Sequence, residues 1–84
     1  MQLRYEPRAL RALKKLGARD RAAIVEALEA FVAGRLPNAD VRKLHAVTPS
    51  TWRLRVGHFR ALYRRPGDVV LVVDIDDRKD VYRG

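Results

Sequence analysis

From Pro7 onwards the spacing of the apolar residues changes once along the chain, and this change limits the possible folds more than any other feature. In the first part, apolar residues recur every three or four positions, which is typical of helices that bury one side. We predict a first helix from Pro7 to Leu16, ended by Gly17 in a left-handed conformation. A second helix is predicted to begin with Asp20 as its cap and to end at Gly34. The short link between the two predicts an antiparallel hairpin.

After the loop from Arg35 to Asp40 the period falls to two, which is typical of strands with one buried face. Apolar residues and arginines alternate from Trp52 to Val56, and a second strand is predicted from Phe59 to Arg64. The unbroken apolar run from Val69 to Ile75 predicts a strand buried on both faces. A short strand from Gln2 to Glu6 precedes the helices. The predicted fold class is α+β, with the N-terminal strand and the helical hairpin packed on one face of a twisted, mainly antiparallel sheet.

The size and composition of the chain predict a single folded domain over residues 1–84. A chain of 84 residues can build one core, and 48% hydrophobic residues are enough to form it. The absence of cysteine excludes disulfides and thiolate metal sites and suits a reducing cytoplasm. Neither a signal peptide nor an apolar run long enough to cross a membrane is present, so we expect a cytoplasmic protein without a membrane partner.

The charge of the chain is strongly positive and unevenly distributed. Eighteen Lys and Arg against ten Asp and Glu give a net charge of +8, which favours polyanionic partners. From Val41 to Gly67 there are seven Lys or Arg, two His and no acidic residue, and Asp40 and Asp68 flank this stretch. Such residues can simply keep a sheet edge from associating with other chains. Their clustering with a single sign of charge favours a nucleic-acid backbone as ligand instead.

Three arginines are predicted to form a groove for phosphate groups. Arg53, Arg55 and Arg60 project from neighbouring strands, and guanidinium groups form forked hydrogen bonds with phosphate. The aromatic residues nearby, Trp52 and Phe59, alternate with aliphatic residues and are therefore assigned to packing.

Tyrosine and histidine are the remaining candidates for chemistry. Tyr82 lies in a basic segment near the C-terminus, where a core role is less natural, and Tyr63 has a ring that can stack on a base. A lone histidine is more often structural than catalytic. His58 follows Gly57 at a bend between two strands and is the better candidate than His45.

The acidic residues near the C-terminus are not assigned to a metal. Four carboxylates follow the last strand: Asp74, Asp76, Asp77 and Asp80. Basic residues interleave with them: Arg78, Lys79 and Arg83. Surface ion pairing explains this mixture without a catalytic metal, and no cofactor-binding motif is present. We therefore expect neither a metal nor a cofactor.

Three stretches together resemble the RelE/ParE superfamily of type II toxin–antitoxin toxins, on its RelE-like side. They are YEPRALRALKKL near the start, VRKLHAVTPSTWRLRVGHFRALYR in the centre and VVLVVDIDDRKDVYR at the end. RelE-type toxins enter the ribosomal A site and cut messenger RNA, and an antitoxin encoded beside them holds them inactive. The resemblance therefore implies an endoribonuclease whose partners are a cognate acidic antitoxin, the ribosome and messenger RNA.

The resemblance also implies roles for particular residues. Arg60 falls on the phosphate-binding arginine of the family, and Tyr82 falls on its near-terminal tyrosine. Together with the charge and position of the residues themselves, the resemblance gives the predicted RNA-binding residues Arg42, Lys43, Arg53, Arg55, Arg60, Arg78 and Arg83. The predicted catalytic residues are Tyr82, Arg60, Arg55, Arg53 and His58. Where many relatives have a His or another basic residue before the closing segment, this chain has Asp76 and Asp77, which departs from the family pattern.

A metal-free ribonuclease needs a base for the ribose 2′-hydroxyl, cations for the phosphorane and an acid for the leaving 5′-oxygen. The arginines are predicted to stabilise the phosphorane, and Tyr82, with His58 as the weaker candidate, to transfer protons. Two alternatives stay open. One is a ParE-type toxin that binds and inhibits DNA gyrase, and the other is a degenerate family member that binds RNA without cutting it.

Overall fold

The structure is a computed structural model, and it describes residues 1–77. Its elements are β1 (Gln2–Tyr5), α1 (Pro7–Lys14), α2 (Ala18–Val32), β2 (Val41–Lys43), β3 (Trp52–Val56), β4 (Phe59–Arg64) and β5 (Val69–Asp77). The strands form one five-stranded sheet in the order β1-β5-β4-β3-β2. Strand β1 is parallel to β5, and the other neighbouring pairs are antiparallel. The predicted α+β class, with two helices on a mainly antiparallel sheet, is confirmed.

The two helices differ from their predictions at the link between them. Helix α1 ends at Lys14, two residues before the predicted end. The backbone of Gly17 has a φ of −63°, so it does not adopt the predicted left-handed conformation. Gly17 instead precedes α2, which begins at Ala18, and this places Asp20 in the first turn of α2 rather than at its cap. A carboxylate in that turn still interacts favourably with the helix dipole.

Helix α2 ends at Val32, two residues before the predicted end, and Gly34 has the backbone conformation that terminates it. Gly34 has a φ of +73°, which residues other than glycine rarely adopt. The amide of Gly34 donates to the carbonyl of Phe31 at 3.1 Å, and the amide of Arg35 donates to the carbonyl of Ala30 at 2.7 Å. These two bonds satisfy carbonyls that the last turn would otherwise leave without a donor.

The core lies between the helices and one face of the sheet. Its residues are Ala9, Leu13, Ile24, Leu28, Leu54, Phe59, Ala61, Tyr63, Val70, Val72 and Ile75. Tyr63 is 2% exposed, packs edge-on against Phe31 and stacks on Trp52. This burial corrects the suggestion that Tyr63 stacks on a base. The packing roles of Trp52 and Phe59 are confirmed, since Phe59 is buried and Trp52 packs against the buried cluster.

Strand β5 differs from its prediction in length and burial. It extends to Asp77, and its residues alternate between buried and half-buried rather than being buried on both faces. The ladder with β4 is irregular: Tyr63 lies opposite Val72, but Leu62 lies opposite Asp74, so one residue of β5 is extra. This β-bulge shifts the alternation by one position.

The bulge determines which side of β5 carries the carboxylates. Val70 and Val72 are buried before it, and Ile75 is buried after it. In a regular strand, Asp74 and Asp76 would follow Val72 onto the buried face, because side chains alternate with a period of two. With the bulge, Asp74 and Asp76 pair with Leu62 and Arg60, on the sheet face away from the buried core, which we call the open face. Both carboxylates still lie beside α1 at the edge of β5, where Oδ2 of Asp74 is 3.4 Å from Nε of Arg8.

Candidate nucleic-acid interface

Four arginines of neighbouring strands lie on the open face, and we call them the arginine cluster: Arg42, Arg53, Arg55 and Arg60. The side chains of these arginines point to the open face because successive side chains of a strand alternate between its two faces. The neighbouring residues Leu54, Phe59 and Ala61 are buried on the other face. Arg42 lies directly opposite Arg53, and Arg55 lies directly opposite Arg60. Like charges in such positions destabilise a sheet, so the cluster is not explained by the stability of the fold.

The arginine cluster surrounds one open depression of about 430 Å³. Its lining is Asp40, Arg42, Lys43, Leu44, His45, Arg53, Arg55 and Arg60. Five of the predicted RNA-binding residues are thus brought together, whereas Arg78 and Arg83 lie outside the described residues. Lys43 also places its ammonium group 5.9 Å from the centre of the Trp52 ring, on the edge strand β2. This strand was not predicted, because three residues are too few to show a period.

One carboxylate that lines the depression, that of Asp40, forms ion pairs with two of the arginines. Oδ1 of Asp40 lies 3.0 Å from Nη2 of Arg53, and Oδ2 of Asp40 lies 3.7 Å from Nη1 of Arg55. The Asp40 carbonyl also accepts a hydrogen bond of 3.0 Å from the amide of Arg55. The Arg53 side chain is only 13% exposed, so this pair is partly shielded from water. Asp40 therefore offsets the repulsion between the arginines and fixes their direction.

A second carboxylate contacts Arg60 from the neighbouring strand. Asp76 lies directly opposite Arg60, and its Oδ2 is 3.5 Å from Nη2 of Arg60. Burial raises the pKa of the Asp76 carboxyl above its ordinary value, and the charge of Asp74 raises it further, while Arg60 and Arg8 lower it. The net rise means that the long contact with Arg60 does not offset the loss of water and the nearby negative charge.

His58 does not line the depression of the arginine cluster. Nδ1 of His58 is 2.9 Å from Oδ1 of Asp77, and the His58 ring packs against Phe59. His58 lines a separate small depression with Asp20 and Ile24 of α2. Of the two histidines it is His45, the less favoured candidate, that lines the arginine depression. Of the predicted catalytic residues, Arg53, Arg55 and Arg60 lie together, His58 does not line their depression, and Tyr82 lies outside the described residues.

Asp40 and Asp76 are the residues of the site that the sequence alone did not assign. Asp40 was visible only as the acidic boundary of the basic stretch, and its pairing with Arg53 depends on the register of β2. Within residues 1–77, no group of three or more His, Asp or Glu is placed to hold a metal ion. No helix in the same part of the chain is long and apolar enough to cross a membrane.

The fold is shared with solved toxin–antitoxin complexes. The RelBE2 complex from Mycobacterium tuberculosis matches with a TM-score of 0.78 and 28% identity, over 92% of this chain and 96% of that one. The RelB–RelE antitoxin–toxin complex from Methanococcus jannaschii matches with a TM-score of 0.74 and 21% identity, over 95% of both chains. The intact RelBE complex from E. coli matches with a TM-score of 0.56 and 21% identity, over 90% of this chain and 94% of that one. These matches define the class of the fold as that of the RelE toxins.

The family of the protein is shown by a family model that matches almost the whole chain. The model of the ParE toxin of type II toxin–antitoxin systems, parDE, matches residues 3–82. The chain therefore belongs to the ParE toxin family of type II toxin–antitoxin systems, and the predicted membership of the RelE/ParE superfamily is confirmed. A comparison with curated proteins finds no match.

Proposed function

We propose that this toxin is a metal-independent endoribonuclease that cuts messenger RNA on the ribosome. The observation that carries the proposal is the arginine cluster around one depression on the open face. Two directly opposed arginine pairs disfavour the folded sheet, and a bound polyanion would relieve their repulsion. The similarity to RelE toxins supports RNA as that polyanion.

The chemistry divides between cations and proton-transfer groups. Arg53, Arg55 and Arg60 neutralise the charge that develops on the phosphorane, because forked guanidinium donors match its oxygens. Tyr82 is proposed to exchange protons with the 2′-hydroxyl or the 5′-oxygen, and His58 is the weaker candidate. Five residues of extended chain span at most about 18 Å, so Tyr82 is near enough in sequence to β5 to serve a site at Arg60.

The partner proposed for the toxin is a cognate antitoxin in the cytoplasm. The solved relatives from Methanococcus jannaschii and Mycobacterium tuberculosis are toxin–antitoxin complexes. A net charge of +8 on this chain favours an acidic segment in its own antitoxin. A short acidic reading frame beside this gene would support the pairing.

A second candidate function is inhibition of DNA gyrase. The match to the ParE toxin model favours it, because the proposed RNA cleavage is not part of that description. Asp40 and Asp76 also neutralise part of the arginine cluster, which a protein-binding toxin tolerates more readily than a nuclease.

The two candidates separate in one paired experiment. The purified toxin is added to ribosomes programmed with a defined messenger RNA, and cleavage is mapped by primer extension. In parallel, the same preparation is added to gyrase and a relaxed plasmid. Cleavage at positions in the A site without an effect on supercoiling supports the proposal. Loss of supercoiling without cleavage moves the function to gyrase, and RNA binding without either effect indicates a degenerate toxin.

A further inference from the structure

The contact between Arg60 and Asp76 places a carboxylate where a phosphate is proposed to bind. Both residues lie on the open face as direct cross-strand partners, and the bulge in β5 is what puts Asp76 there. The guanidinium of Arg60 also has Arg55 opposite it on its other side, in the ladder with β3. Arg60 therefore has one cationic neighbour and one anionic neighbour in the strands beside it.

We propose that the Asp76 carboxylate competes with a phosphate group for Arg60. When phosphate fills the site, Asp76 gives up its contact with Arg60 and takes up a proton. The inference rests on the proposed function in one respect, since it takes Arg60 as a ligand of phosphate. It adds that the strength of this site is controlled by the ionisation of a neighbouring residue.

The geometry at Arg60 shows why the two anions compete. The Asp76 contact uses Nη2 at 3.5 Å, and Nε of Arg60 is buried without a hydrogen-bond partner within residues 1–77. A phosphate with a forked contact would use Nε together with Nη and so satisfy the unpaired donor. It would also bring its charge next to the Asp76 carboxylate, and like charges at this distance repel strongly where water is partly excluded.

The charges around Asp76 set the direction of the proton transfer. Burial already raises the pKa of Asp76, with a further rise from Asp74 on the same strand. Arg60 of β4 and Arg8 of α1 oppose this rise. A bound phosphate pairs with Arg60, so that Arg60 no longer lowers the pKa of Asp76, and it places a further negative charge beside the carboxyl. The pKa of Asp76 therefore rises again on binding.

Other charged side chains also border this carboxylate. Arg11 and Lys15 of α1 line the cleft on its helix side, together with Asp77 of β5. The phosphate does not remove any of these charges. A group whose pKa is higher in the complex takes up a proton on binding, so affinity must fall as pH rises through the interval between the free and bound pKa values.

The test compares two variants that each remove one negative charge. Asp76→Asn removes the competitor, and Glu26→Gln removes an exposed carboxylate of α2, in the helical layer on the other side of the sheet. The ligand is a short 2′-O-methyl oligoribonucleotide, which keeps the phosphodiesters but cannot be cut through a 2′-hydroxyl. Its affinity is measured by fluorescence anisotropy from about pH 5 to about pH 8.

We expect Asp76→Asn to bind about threefold to tenfold more tightly than Glu26→Gln near neutral pH, and to lose part of the pH dependence that Glu26→Gln keeps. His45 lines the same depression, and any contribution from its protonation persists in both variants. Equal affinities for the two variants, or an unchanged pH dependence in Asp76→Asn, would overturn the proposal.

A second measurement counts the protons taken up on binding by the wild-type protein and by Asp76→Asn, and its outcome for the wild-type protein does not depend on how the variant folds. Calorimetry of the same binding in two buffers with different ionisation enthalpies gives the number of protons taken up. Net uptake that is lower in Asp76→Asn supports the inference. Binding without proton uptake overturns this inference and leaves the nuclease proposal standing, whereas no binding at all in any buffer overturns the phosphate site and with it the proposed function.

Discussion

Arg55 lies directly opposite Arg60 in the ladder between β3 and β4, with both side chains on the open face. Opposed like charges disfavour a strand pair by an amount on the order of 0.2–1 kcal/mol, and the pair Arg42 and Arg53 repeats the arrangement one strand further out. Sites kept for function often carry such a cost in stability. This relationship leads to the first prediction.

Replacing Arg60 by alanine should abolish toxicity without unfolding the protein. The Arg60 side chain is only 28% exposed and contacts Asp76, but its loss also removes the repulsion with Arg55. We therefore expect the free energy of unfolding to change by about 0.5 kcal/mol or less, as measured by urea denaturation. Growth assays and RNA binding should both show a loss of function. Arg19→Ala, an exposed change on α2 with the same loss of charge, should leave toxicity intact, and a fully toxic Arg60→Ala would remove Arg60 from the site.

Replacing Tyr82 by phenylalanine should slow cleavage of messenger RNA on programmed ribosomes by on the order of 10², the scale of one general acid or base. Binding to the ribosome should hardly change, since only a hydroxyl is removed. The matched control is Tyr5→Phe, because the Tyr5 hydroxyl is buried without a hydrogen-bond partner within residues 1–77. Cleavage at the wild-type rate by Tyr82→Phe would exclude the catalytic role.

Replacing Leu28 by alanine should destabilise the fold by about 2–5 kcal/mol, because Leu28 of α2 is fully buried between the helices and the sheet. The matched control is Leu10→Ala on α1. Leu10 recurs at helical spacing with Leu13 and Leu16, a pattern that predicts burial, but it is 44% exposed in the structure. A loss of less than about 1 kcal/mol is expected there. Thermal and urea unfolding of the two variants give the comparison, and similar losses would contradict the described packing of α1.

The association of the toxin with its antitoxin should slow as salt concentration rises. A net charge of +8 on 84 residues gives long-range attraction to an acidic partner, and salt screens it. Stopped-flow mixing at low and high ionic strength measures the association rate constant. A rate that does not depend on salt would show that charge does not steer the encounter.

The helical layer and the sheet could be predicted from the sequence because each depends on the spacing of apolar residues along the chain. Alternation from Trp52 to Val56 and from Phe59 to Arg64 set both the strands and the direction of their arginines. The β-bulge in β5 was not predictable, since it depends on how Tyr63 and Leu62 of β4 pair with Val72 and Asp74, and the sequence of β5 alone does not show this pairing. The unbroken apolar run before Asp74 also concealed which residues face the core. Whichever alternate residues point inward, hydrophobic side chains lie on both faces of the strand.

The cationic half of the site was easier to predict than its anionic half. The arginines follow from strand alternation alone, whereas Asp40 reaches Arg53 only through the register of β2 with β3. The contact of Asp76 with Arg60 needs both the bulge and the pairing of β4 with β5. Gly17 shows the same limit on a smaller scale, because one glycine between two helices is compatible with ending the first or preceding the second.

The position of β5 in the sheet has a consequence for how the toxin is made in the cell. β5 lies between β1 and β4, so Gln2 finds its ladder partner only at Val69. During synthesis β1 is made before β5 and remains without its neighbouring strand until β5 has been translated. Such distant pairing slows folding, because the loop must close before any contact is gained. A nascent or prematurely terminated toxin that ends before residue 69 therefore lacks β5 and its Asp76, and the cell is exposed to the folded toxin only after β5 has been translated.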